Sequence, residues 1–70
     1  MQIEQLIKYK ENHRKVKLNL KDGSFLTGYV ISVEENSIIF EDKFKNEVLI
    51  DIDSISYVIP IKEDYNGRAK

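Results

Sequence analysis

Between residues 16 and 60 the chain is written in two-residue periods broken by tight turns, and this restricts it to a small, sharply bent β-sheet. Val16, Leu18 and Leu20 alternate with Lys17, Asn19 and Lys21, the mark of a strand with one buried face. Asp22-Gly23 follows, a strong hairpin signal because glycine takes positive φ without steric cost. The next strand, from about 24 to 33, is apolar on both faces, with Leu26 and Val30 on one and Phe25, Tyr29, Ile31 and Val33 on the other. Gly28 in its middle suits a sharp bend and a close backbone approach better than a flat strand. After the turn Glu34-Glu35-Asn36, a third strand covers residues 37 to 41, and residues 42 to 46 form a second turn. Val48, Ile50 and Ile52 alternate with Leu49, Asp51 and Asp53 in a fourth strand. A fifth, from 55 to 59, stops at Pro60, which cannot donate to a sheet ladder.

The period differs ahead of residue 16. Ile3, Leu6 and Ile7 recur at helical spacing among Lys8, Lys10 and Glu11, which predicts a helix over about 2–11. A helix so short is marginal alone in water and must dock its apolar stripe on the body. The expected fold class is therefore mainly β, a short N-terminal α-helix followed by a five-stranded, strongly bent small barrel. The domain spans 1–62, with the barrel over about 15–60 and a flexible polar tail over 63–70.

Seventy residues allow one domain, and a chain this short buries only about 60% of the surface its unfolded form exposes. It has no cysteine for a disulfide and a single histidine, so no tetrahedral zinc set is available. Oligomerisation is the remaining support for so small a core. Strands four and five carry apolar residues on both faces and need cover from another subunit. The N-terminus shows no signal-peptide pattern and no run reaches transmembrane length, so the expectation is a soluble, cytoplasmic protein with no membrane partner.

Charge is unevenly placed. Residues 1 to 33 hold six basic and three acidic side chains; residues 34 to 64 hold three basic and nine acidic ones, and Arg68 and Lys70 follow. One basic region on an acidic body does not suit general binding of duplex DNA, which scales with the phosphates neutralised. His13 has no nearby partner for general-base work and no serine lies in a nucleophile motif. No enzyme, cofactor or metal site is expected. Asp51 and Asp53, two apart on the fourth strand, share a face and read as a solvated acidic rim.

The Asp22-Gly23 turn, Gly28 five residues on, the Gly28-x-Val30 step and the terminal Ser56-Tyr57-Val58-Ile59-Pro60 together resemble the Sm-like (LSm) family. The N-terminal helix and the short Glu34-Glu35-Asn36 turn are most similar to its bacterial branch, the Hfq RNA chaperones. The resemblance covers about three quarters of the chain. It implies an Sm-like barrel in a ring of identical subunits, a homohexamer closed by strand four of one pairing with strand five of the next. It also implies single-stranded RNA as partner and a role in RNA chaperoning or post-transcriptional regulation.

Three RNA-binding regions follow from that resemblance. At the rim, the helix end supplies Lys10, His13, Arg14 and Lys15, with Lys8, Lys17 and Tyr9 among them. On the turn-bearing face, where such rings hold adenine-rich RNA, the matching residues are Asn19, Gly23, Ser24, Phe25, Leu26 and Thr27, with Asp22. An aromatic usual in the first strand is replaced there by Asn19, and Phe25 is the alternative stacking group. On the pore side, a stacking aromatic and a Lys-His pair are replaced by Asn36 and by Ile52-Asp53. Asn36 can hydrogen-bond a base edge but offers no stacking platform, and Asp53 sets a carboxylate where phosphates approach. That substitution motivates an alternative, an Sm-like oligomeric scaffold that binds protein partners and has lost RNA.

Overall fold

The computed structural model describes residues 2–62; the tail expected over 63–70 lies outside them. An α-helix, α1 (Ile3–Glu11), precedes five strands: β1 (Val16–Leu20), β2 (Phe25–Val33), β3 (Ser37–Asp42), β4 (Glu47–Asp51) and β5 (Ile55–Pro60). They form one antiparallel sheet in the order β4-β3-β2-β1-β5. Every element contributes to a single core: Leu6 from α1, Val16 and Leu18 from β1, Val30 from β2, Ile38 and Phe40 from β3, Ile50 from β4, Ile55 and Val58 from β5. Leu6 is fully buried, which contributes roughly 1.5–3 kcal/mol. That is how a nine-residue helix stays attached to the sheet.

The sheet bends at β2. The first part of that strand pairs with β1, Asn19 opposite Phe25 and Val16 opposite Gly28. The second part pairs with β3, beginning with Gly28 opposite Asp42. A Cβ on Gly28 would overlap the carbonyl oxygen of Glu41, so the crossing point needs glycine for close backbone approach.

Both faces of β2 are apolar because the register shifts between Val30 and Ser32. Val30 faces inward opposite Phe40, the shift turns Ile31 outward, and Val33 returns to the core opposite Ile38. An extra residue on one strand reverses inside and outside beyond it.

One expectation needs correction. The fourth strand ends at Asp51, and Ile52–Ser54 form a 3₁₀ turn. Asp51 and Asp53 therefore do not share a strand face, although both are exposed. The fifth strand ends at the proline, as expected. Pro60 is its last residue, opposite Val16, and the Ile61 N–H donates to the Lys15 carbonyl at 2.9 Å.

Candidate nucleic-acid interface

The rim begins where α1 stops. The Asn12 N–H donates to the Lys8 carbonyl, His13 N–H to Lys10 and Arg14 N–H to Tyr9, at 3.0, 3.1 and 3.0 Å. This pattern closes a helix with one left-handed residue, usually glycine; here it is His13, with φ 51°. Its imidazole stacks on Tyr29 of β2, ring centroids 4.7 Å apart and planes 18° apart. His13 thus spends its aromatic face on the sheet and fixes where the basic segment leaves the helix.

The expected rim set divides accordingly. Arg14 lines a cleft of about 470 Å³ with Lys8, Tyr9, Asn12 and Pro60, between the helix end and the end of β5. Lys10 is exposed and Lys15 half-buried, but neither lines it. Tyr9 also packs against the core. Asn12 was not among the residues expected at the rim; it follows Lys8 by four residues, about one helical turn, and that spacing is the signal for it.

The turn-bearing face lies at the other end of β1. Gly23 has φ 94° and its N–H donates to the Leu20 carbonyl at 3.0 Å. The Ser24 hydroxyl donates to Asp22 Oδ1 at 2.6 Å and its N–H to the same atom at 2.9 Å. Those bonds, the hydroxyl's first, hold the Asp22 carboxyl below its ordinary 3.8. The fold favours the ionised form, so the stabilisation is present above pH 3.8 and is lost as pH falls through the lowered value. In urea melts across that range, the stability gap between the wild type and Asp22→Ala is expected to close on acidification; a constant gap refutes this role.

Ser24 is therefore committed to the turn, and Leu26 is half-buried against the core. Phe25 and Asn19 remain for a ligand, with half-buried Thr27. Phe25 is 56% exposed, and Lys17 Nζ sits 4.4 Å from its ring centroid. Asn19 lies directly between Phe25 on β2 and Tyr57 on β5. Its Nδ2 is buried without a hydrogen-bond partner. Tyr57 is 54% exposed and belongs to this face, although no sequence motif marked it for ligand contact. Its position beside the inward Val58 was the available sign.

Asn36, Ile52 and Asp53 are also brought together, since the Ile52 N–H donates to the Asn36 carbonyl at 2.9 Å. Ile52 packs against the core and offers no ligand group. What faces solvent here is acidic: Glu34 and Glu35 on one turn, Asp51 and Asp53 on the next. This acidic corner adjoins the β1–β2 turn, whose Lys21 N–H donates to the Ser54 carbonyl at 2.9 Å.

Solved structures share this arrangement of helix and strands. One is Hfq described as a pleiotropic translational regulator, matched with a TM-score of 0.73 at 18% identity over 79% of this chain and 90% of that one. Another is an Hfq protein from Anabaena sp., with a TM-score of 0.71 at 24% identity over 84% of this chain and 93% of that one. The chain has the Sm-like fold of Hfq. No family model and no curated protein matches the sequence. What is shared with Hfq at this identity is the fold, and the side chains described above are this chain's own. Among the described residues, no helix is long and apolar enough to cross a membrane.

Proposed function

We propose that this chain is an Hfq-like, ring-forming protein that binds single-stranded RNA in the cytoplasm and acts in RNA chaperoning or post-transcriptional regulation, without performing chemistry. The observation that carries this reading is the lysine-capped, exposed Phe25 beside Asn19 and Tyr57 on an Hfq fold. Aromatic platforms beside cations are what sequence-tolerant single-strand binding uses, at about 1–3 kcal/mol per stacked base. The Lys8–Arg14 cleft supplies a second cationic contact at the rim. The ring, six subunits by resemblance, is supported by the two unpaired sheet edges, β4 and β5.

A titration with labelled adenine-rich and uridine-rich RNA at several salt concentrations tests the proposal. Adenine-rich RNA is expected to bind the face carrying Phe25. Reversing charge in Arg14→Glu/Lys15→Glu removes two phosphate partners and lowers the salt slope by about 1.4, at roughly 0.7 per contact on a single strand.

The acidic corner of Glu34, Glu35, Asp51 and Asp53 favours a second reading, an Sm-like scaffold for protein partners. Failure of both RNAs to bind at low salt selects it. If RNA does bind, Asp53→Lys is expected to raise affinity for uridine-rich RNA selectively. An unchanged affinity refutes the view that this carboxylate blocks the pore side.

A further inference from the structure

The turn between β3 and β4 presents an aromatic where a polar residue would serve the backbone equally well. Phe44 is 72% exposed, at the tip of a tightly bonded turn. Asp42 Oδ1 accepts the N–H groups of Phe44 and Asn46, each at 2.9 Å. The Lys45 N–H donates to the Asp42 carbonyl and the Asp42 N–H to the Asn46 carbonyl, each at 3.0 Å. Lys45 completes the turn at φ 70°. Side chain and backbone of Asp42 thus fix the segment that displays the ring.

Phe44 does not stand alone. With Lys43, Asp42, Phe25, Leu26 and Thr27 it lines a cleft of about 240 Å³ between the start of β2 and the β3–β4 turn. Each of its two phenylalanines carries a cation: Lys17 Nζ at 4.4 Å from the Phe25 centroid and Lys43 Nζ at 5.3 Å from that of Phe44. Single exposed apolar residues are ordinary on a protein surface; two exposed rings bordering one cleft, each beside an ammonium, are a more specific arrangement. The lysines suit an anion and the rings a flat apolar face. The acidic member of the lining, Asp42, has one oxygen already held by the turn.

We propose that this cleft is a nucleotide subsite in which Phe25 and Phe44 take one unpaired base of single-stranded RNA between them while Lys17 and Lys43 hold the adjoining phosphates. It rests on the RNA-binding reading and extends it beyond the turn-bearing face to the β3–β4 turn. Because every base has a π-face, the subsite is sequence-tolerant. It lengthens the path of the strand across each subunit by about one nucleotide.

The test titrates the full chain with adenine and uridine hexamers, following the phenylalanine ring protons by NMR and affinity by anisotropy. The ring protons of Phe25 and Phe44 are expected to move upfield and to saturate with the anisotropy curve. Phe44→Ala is expected to weaken binding about 5- to 150-fold, the range given by one stacked base, and Phe44→Trp to restore it. Phe44 is exposed and outside the core, so both variants keep the fold. If RNA binds but the rings do not shift and Phe44→Ala binds as the wild type does, the subsite is wrong and the RNA-binding reading stands. If neither hexamer binds at low salt, both are wrong. If Phe44→Ala instead changes the mass of the assembly, the ring belongs to a contact between copies and the proposal is overturned.

Discussion

Gly28→Ala is expected to remove about 3 kcal/mol of stability, the upper end of the usual cost of overpacking, and to lower Tm by roughly 12–24 °C for a domain of this size. Gly28 pairs with Val16 on one side and Asp42 on the other, so it is where the sheet folds over its own core. The added methyl meets the backbone carbonyl of Glu41, and no rotamer change can move it away. Relief requires parting β2 from β3 at the point where Val30 and Phe40 pack together. A seventy-residue domain has roughly 3.5–10 kcal/mol in total, so this single methyl threatens much of it. Gly23→Ala is the control. Gly23 has φ 94° but open space around its Cβ direction, so its cost is confined to about 1–2 kcal/mol of backbone strain. Thermal melts at matched chain concentration check both, since any assembly makes Tm depend on concentration. A Gly28→Ala protein melting within a few degrees of the wild type refutes the close-approach argument.

Much of this architecture could be read in advance, because the residues that set it act locally. The alternation of Val16, Leu18 and Leu20, the Asp22-Gly23 turn and the placement of Gly28 each state their geometry within a few positions. The failures share a cause as well. Ile52 extends the alternation of Val48 and Ile50, so it reads as strand, yet the chain turns there. The Ser54 hydroxyl donates to the Asp51 carbonyl at 2.7 Å and the Ile52 N–H is taken by Asn36. A short polar side chain competing with the ladder decided the local path, and Asn36 lies sixteen residues away. The register shift past Val30 was hidden because both faces of β2 are apolar and parity carries no information there.

The same limit applied to the candidate site. Phe25 could be placed from its neighbouring turn, whereas Tyr57 joins it only through pairing across β1. Phe44 borders the same cleft only through the pairing of β2 with β3. His13 reads as one more cation in a basic run; its left-handed backbone and its stack on Tyr29 appear only once the helix is docked.

Leu49→Glu is expected to reduce the assembly to the mass of a single chain in light scattering while leaving the far-ultraviolet circular dichroism unchanged. Leu49 is 68% exposed on β4 and absent from the core, so the isolated fold does not need it. It lies on the outer face between Glu47 and Asp51 on an edge strand. Ile59, 44% exposed, lies on the opposite edge, β5. Two different edges that pair head to tail make a contact that can close into a ring, and these outward apolar residues are what such a contact would cover. A carboxylate added there must be desolvated without a partner, beside two carboxylates already present, at a cost of several kcal/mol. In a closed ring that cost recurs at every interface, so the assembly fails as a whole. Monomers lose the repeated rim and turn-face contacts, and with them avidity of roughly 10²–10⁴ for a strand long enough to span subunits. A short oligonucleotide confined to one subunit loses little. Retention of the ring in the Leu49→Glu protein places the subunit contact elsewhere, and a wild type of single-chain mass removes the ring altogether. Loss of long-strand binding with short-strand binding intact ties the edge strands to RNA engagement.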